Sequence, residues 1–375
     1  MKQFKHIMII SLVALLLVSC FLSQEKPTIR DGNLNIELLL TIEDDSDSIS
    51  STIPVPGVEV KLTTTNYNLP PYYDITDSNG IAHFEGLPFA YYKAEAYSII
   101  KPTPFTEVEV VGAKVLELTA DSLGGELSYR DSVTMLQSQR GLCINEIYTC
   151  GPKNNIFYFY DQFFELYNAM SDTAYLDGML FLRLSKTELF ADTLSVIYIY
   201  QFPGTPLTGR EYPIEPGEFV VLAGLAMDHN LIGPIRGKTI DLSNADWEFV
   251  NEIEAGAYDN PNVPNITTNN GKVSQKSKVG FMVGLTGDGL ALCDGTDYDQ
   301  SDGIDIKTVI DCVEFSSSET HTKEVPYSLD KSWGGIGQGK YSGQSLERIR
   351  PGFDTNNSRV DFTIINTPTP GYHHE

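Results

Sequence analysis

The chain has 375 residues, enough for two domains or three. Its formal charge of −24 is spread along the chain rather than gathered in one tail, repels phosphate backbones and argues against nucleic acid as a partner. Hydrophobic residues at 41% and charged residues at 20% suit a globular protein, and 20 Tyr with 18 Phe favour strands, whose pleated, half-buried surfaces accept aromatics.

The N-terminus carries export chemistry. Lys2 and Lys5 form a positive start, and Ile7 to Val18 is apolar except for Ser11. That run is too short to span a bilayer comfortably and has the length of a signal-peptide core. It ends in Leu17-Val18-Ser19-Cys20, which resembles the lipobox of bacterial lipoproteins. The resemblance implies a signal peptide of residues 1–19, lipid attachment at Cys20, and a tether of residues 20–30. Several acyl chains on one cysteine hold a protein durably, where one would not. The expected location is the bacterial cell envelope, at the outer membrane, through this lipid. Glu25 is the one acid just after the cysteine, where some lipoproteins carry an acidic surface-export signal.

Beyond the tether the chain reads as short strands. Residues 33–42, NLNIELLLTI, form the first. Val58, Val60 and Leu62 then alternate with polar residues, and Asp77-Ser78-Asn79-Gly80 is a turn by composition. Two more strands follow, and 106–121 alternates at Val108 and Val110 and again at Leu116 and Leu118. Short strands with turns at this spacing make a β-sandwich. PVPGVEVKL followed by TDSNGIAHFEGLPFAYYKAEA resembles the carboxypeptidase regulatory-like (transthyretin-like) family over residues 31–121. That implies a structural or binding module. Residues 122–140 read as a polar linker.

The second half starts at 141. In QFFELYN, Phe164 and Leu166 share one face of a strand; Phe163, Glu165 and Tyr167 share the other. Glu165 therefore reads as a strand residue entering a turn at Asn168, not as a catalytic acid in a greasy pocket. INEI, DQFFELYN, YLDGMLF, YPIEPGEFVVLA, GLALCDG, VIDCVEF, SLERI and PTPGYHH, in this order, resemble the lamin-tail family, with His374 where Asn is usual. The resemblance implies an immunoglobulin-like β-sandwich over 141–375 with an insertion near 224–275. The expected fold is all-β, a small transthyretin-like sandwich followed by a larger lamin-tail-like one. Lipobox and modules together resemble a Bacteroidetes lipoprotein family, uncharacterised in activity.

Candidate chemistry is sparse. After Cys20, four cysteines remain, and three pairings are open; Cys293 with Cys312 is favoured because both flank one acidic loop. No C-x₂-C occurs and the six His are scattered, with His373 and His374 in the terminal tail, so no zinc spacing is present. Gly334, Gly339 and Lys340 approach a P-loop, but Tyr341 stands where Ser or Thr should reach Mg²⁺. In DGTDYDQSDGID, Asp297, Asp299 and Asp302 could offer oxygens to calcium, without EF-hand order. Asp-(Ser/Thr)-apolar triplets resemble the O-glycosylation sequon of exported Bacteroidetes proteins, first at Ser122 and Ser132 and also at Asp47-Ser48-Ile49. Tyr72, Tyr73, Tyr91 and Tyr92 could stack on sugars or pack across strands. The expectation is a non-enzymatic, lipid-anchored binding or assembly module without a cofactor, calcium aside. Its partner would be another envelope protein, such as an outer-membrane transporter, or a glycan. The alternative is a metal-dependent hydrolase or a glycan-binding protein at the cell surface.

Overall fold

The computed structural model describes residues 32–44, 51–268, 277–299 and 301–374. The signal peptide, Cys20, the tether and the Asp47 triplet lie outside the described residues. Among the described residues no helix is long and apolar enough to cross a membrane. The chain divides into two compact units: one from residue 32 to Ile100 with Glu109–Ser138, the other Lys101–Val108 with Gln139 onward. Among the described residues, apart from one four-residue helix, α1 (Ser358–Asp361), and three 3₁₀ turns, the regular structure is β.

The first unit is a sandwich. Strand β1 (Leu34–Asp44) buries Leu34, Ile36, Leu38 and Leu40, the alternation its sequence carries. It pairs antiparallel with β2 (Ser51–Pro54) and β5 (Ile81–Leu87). The facing sheet pairs β3 (Glu59–Thr64) antiparallel with β4 (Tyr72–Ile75) and β6 (Ala90–Thr103). β3 and β6 turn Val60, Leu62, Tyr92 and Ala94 inward. The Thr76 hydroxyl accepts from Val58 N at 2.9 Å and donates to Val55 O at 2.8 Å, fixing the entry to β3. Gly80 is left-handed (φ +76°), and a side chain there would meet Val55 N at 2.8 Å, which is why the turn ends in Gly.

The unit is completed by β7 (Thr106–Leu118) and β8 (Ser128–Tyr148). Residues 122–140 are therefore not a linker. After a turn at Thr119–Gly125, β8 runs parallel to β1 from Asn35↔Ser128 to Ile42↔Met135. Val133 and Met135 point inward while Arg130, Ser132 and Thr134 are exposed. The polarity that suggested a linker is the outward half of a strand.

In the second unit, β8 from Leu142 to Tyr148 pairs with β9 (Phe163–Asn168). The small ladders β10 (Ala174–Tyr175) with β14 (Pro213–Ile214), and β12 (Thr193–Leu194) with β19 (Ile304–Asp305), stand apart. The other strands are β11 (Leu180–Leu184), β13 (Val196–Gln201), β15 (Phe219–Ala223), β16 (Trp247–Val250), β17 (Asn265–Thr267), β18 (Gly287–Cys293), β20 (Val309–Ser316), β21 (Ser345–Arg348) and β22 (Phe362–Ile365). Neighbour by neighbour the ladder runs β22-β21-β8-β9-β15-β16-β17-β13-β11-β18-β20, with β15-β16 and β16-β17 parallel. Its inner face closes on one aromatic core. Phe281 lies 5.3 Å from Phe164, 5.2 Å from Phe181 and 4.8 Å from Phe249, centroid to centroid. Deleting such a ring typically costs about 3–5 kcal/mol.

The described part of the expected insertion, residues 224–268, packs on the sheet. Ala226, Leu242 and Val263 pack on Tyr148, Phe163 and Ala223, covering the outer face of β8, β9 and β15. A sheet covered on both faces explains why FFEL and FVVLA are apolar on consecutive residues.

Candidate functional site

Two features of the second unit concentrate chemistry. The first is a row of glutamates. Register sets Glu146 of β8 directly opposite Glu165 of β9 and Glu347 of β21, on the face away from the aromatic core. All three are fully buried. Residues 369–374 cover them. Thr369 N donates to both oxygens of Glu146, at 3.1 and 3.2 Å, and Thr369 Oγ1 bridges Glu146 Oε2 and Glu347 Oε1 at 3.0 Å each. Gly371 N donates to Glu165 Oε2 at 2.6 Å, and Asn145 Nδ2 to Oε1 at 2.9 Å. His374 N reaches Glu347 Oε1 at 3.1 Å, and the His374 ring meets Oε2. Burial pushes the Glu146 carboxyl up to about 7 against the bonds it accepts. Burial, then the neighbouring Glu146, pushes Glu165 up to about 8. Glu165 thus keeps its proton near neutral pH, which is how a buried row of three acids is tolerated.

The second feature is an aromatic cavity of about 520 Å³ lined by Tyr158, Tyr160, Tyr258, Met227, Ile232 and Lys278, among others. That volume lies within the roughly 300–1,000 Å³ of small-molecule sites. The loop between β8 and β9 supplies two of the rings. Asn154 staples it: Nδ2 donates to Pro152 O and Tyr158 O, while Oδ1 accepts from Ile156 N and Tyr158 N. The loop is so fixed that Phe157 is held at φ +60° with 68% of its surface exposed. A bulky residue in that conformation is strained, and the Phe157 ring meets Tyr341 edge to face at 5.5 Å.

Tyr158 is anchored from behind, its hydroxyl 2.5 Å from His229 Nδ1, and Nε2 of the same ring contacts Leu225 O at 3.0 Å. Burial drives His229 down to about 4, so its imidazole is neutral in the fold. Tyr158 and Tyr160 meet edge to face at 5.5 Å. Nearby, Asp161 accepts from Tyr148 Oη at 3.0 Å and Thr239 Oγ1 at 2.5 Å, and burial raises it to about 6. Tyr160 and Tyr258 keep 40% and 53% of their surface exposed, so two rings are available and one is locked. This arrangement can hold a flat apolar face.

The fold is that of a DUF4876 family protein. A crystal structure of that protein, from Bacteroides thetaiotaomicron, matches 88% of this chain and 94% of its own with a TM-score of 0.59 at 24% identity. Two further solved structures match with low scores. One is a proposed carbohydrate binding protein from Pseudomonas aeruginosa (TM-score 0.22, 13% identity, 28% of this chain and 91% of that one). The other is the full-length major pilin SpaD from Corynebacterium diphtheriae (TM-score 0.21, 11% identity, 44% and 47%). No family model matches the sequence, and no curated protein matches it.

Residues singled out from sequence fall into place unevenly. Cys293 and Cys312 are separate buried thiols, as are Cys143 and Cys150, which corrects the expected disulfide. Register sets Cys312 opposite Ala291 and Cys293 opposite Val309, so the two are not cross-strand partners. Asp297, Asp299 and Asp302 lie in the loop between β18 and β19. Asp297 accepts from Asp299 N and Asp305 N, and Asp299 from Ser301 N, as turn residues do.

Ser122 is exposed but its hydroxyl donates to Glu117 O at 2.7 Å; Ser132 is exposed on β8. Tyr72, Tyr73, Tyr91 and Tyr92 form no common platform: Tyr92 is fully buried and donates to Pro88 O, and Tyr91 donates to Glu117. The Gly334–Lys340 stretch opens no helix; Tyr341 N and Gly343 N instead donate to Cys150 O and Gly151 O.

Sequence reasoning missed the clustering of Glu347, His373 and His374, and the cavity. The first joins residues 26 and 27 positions apart, below any local motif. The second had a signal in the tyrosine-rich IFYFYD before β9.

Proposed function

We propose that this chain is a non-enzymatic, lipid-anchored envelope protein of a Bacteroidetes lipoprotein family. In this reading its transthyretin-like first unit is a support and its lamin-tail-like second unit binds a glycan. The lipobox-like Leu17–Cys20 supports the anchor and the outer-membrane location. The observation that carries the binding reading is the cavity beside the stapled loop, with Tyr160 and Tyr258 exposed and Tyr158 locked by His229. The CH face of a pyranose fits such rings, and a loop already fixed loses little entropy on binding. A binding protein at the outer membrane would serve an adjoining transporter by presenting its cargo.

The test is a glycan array probed with the full chain and with Tyr258→Ala. Tyr258 is half exposed, so its loss leaves the core intact. Recognition of a defined sugar class that is lost in the variant is expected. Wild type and variant giving the same pattern, or no sugar retained at all, would defeat the reading.

A further inference from the structure

We propose that Glu347, His373 and His374 form a site for a divalent transition-metal ion, zinc by its chemistry, that clasps residues 369–374 onto the sheet. The proposal is independent of the glycan reading. One ligand atom from each residue lies within 4.8 Å of the others. Two imidazole nitrogens and a carboxylate oxygen are the donor set of open zinc sites, and nitrogen donors disfavour calcium and magnesium.

The pattern of hydrogen bonds points the same way. His373 Nδ1 lies 3.1 Å from Glu347 Oε1, yet it is buried and makes no hydrogen bond. Glu347 Oε1 is occupied by Thr369 Oγ1 and His374 N, so a third centre would meet the unbonded His373 Nδ1 together with Glu347 Oε2 and the His374 Nδ1 that faces it. The carboxylate is held as outer-shell partners hold a metal ligand: Thr369 Oγ1 donates to Oε1, and Thr369 is in turn fixed by Glu146. The side chains of His373 and His374 are 19% and 41% exposed, so an ion has a way in and a position remains open to water.

The experiment uses the full chain stripped with chelator, then titrated with Zn²⁺ alone near neutral pH, with bound metal measured by mass spectrometry after dialysis. Co²⁺ is titrated in parallel and its visible absorption recorded. One equivalent of Zn²⁺ is expected, with Co²⁺ bands of mixed nitrogen and oxygen ligation. His373→Ala and His374→Asn should each weaken binding by about tenfold or more, since losing a ligand costs no less than losing an outer-shell partner. Both positions are solvent-accessible, and tryptophan fluorescence verifies that the variants fold. Zn²⁺ should also slow proteolytic trimming of the last residues in wild type and not in the double variant. Absence of stoichiometric binding, or binding unchanged in the double variant, would overturn the site; the second outcome would move the metal to other carboxylates.

Discussion

Replacing Glu165 with Gln should stabilise the second unit at pH 8 relative to its effect at pH 5. An ordinary glutamate releases its proton near 4.5; this one does so near 8. A raised carboxyl pKa in the fold means that stability is fully present below pH 4.5 and is lost as pH rises towards 8. By linkage the loss amounts to about 4 kcal/mol at pH 8 and under about 1 kcal/mol at pH 5.

Gln cannot ionise, so it escapes this loss, but its amide nitrogen faces Gly371 N or Asn145 Nδ2, both donors. That mismatch costs roughly 1–3 kcal/mol at any pH. The variant is therefore weaker than wild type at pH 5 and stronger at pH 8. The change in the difference, about 3 kcal/mol, is free of the mismatch because that cost cancels. Both tryptophans, Trp247 and Trp333, lie in the second unit, so urea unfolding followed by their fluorescence reports it alone. Chelator keeps protons the sole occupants of the row. Parallel stability curves for the two proteins between pH 5 and pH 8 would refute a protonated Glu165.

Two further outcomes test the packing of the same unit. Arg348 is 1% exposed and touches Asp311 at 2.9 Å, Asp354 at 3.3 Å and Asp361 at 3.6 Å, while donating to Ile144 O and Phe353 O. Arg348→Met should cost about 3–5 kcal/mol in urea unfolding, because it strands buried carboxylates, and adding Asp311→Asn should return part of the loss. A loss below about 1 kcal/mol would show the network to be slack. Cys143, Cys150, Cys293 and Cys312 should resist alkylation in the native protein, and all four should be modified after denaturation without reductant, as mass shift reports. Two modifications in place of four would restore a disulfide.

The fold class was legible because period-two alternation is local. Leu34, Ile36, Leu38 and Leu40 read inward from sequence and are inward. The same rule placed Glu165 opposite Phe164 and Leu166, and the glutamate does lie on the face away from the core. It could not place that face. Residues 369–374 return from far along the chain to cover Glu165, and Ala226, Leu242 and Val263 cover Phe163 on the same face, so that face is buried as well. The linker was misread for the reverse reason: Arg130, Ser132 and Thr134 dominate a composition, while Val133 and Met135 decide the pairing. The cavity and the His–Glu cluster depend on contacts between distant segments, which no spacing rule encodes.

The tyrosine cavity is the place where a sugar would bind. Saturation-transfer difference NMR on the full chain, irradiating aromatic protons in the presence of oligosaccharides from the host envelope, reads that contact directly. Signal on the CH face of one pyranose ring, lost in Tyr258→Ala and kept in Tyr73→Ala on the first unit, is the predicted result. Transfer that is absent, or that survives Tyr258→Ala unchanged, would contradict it.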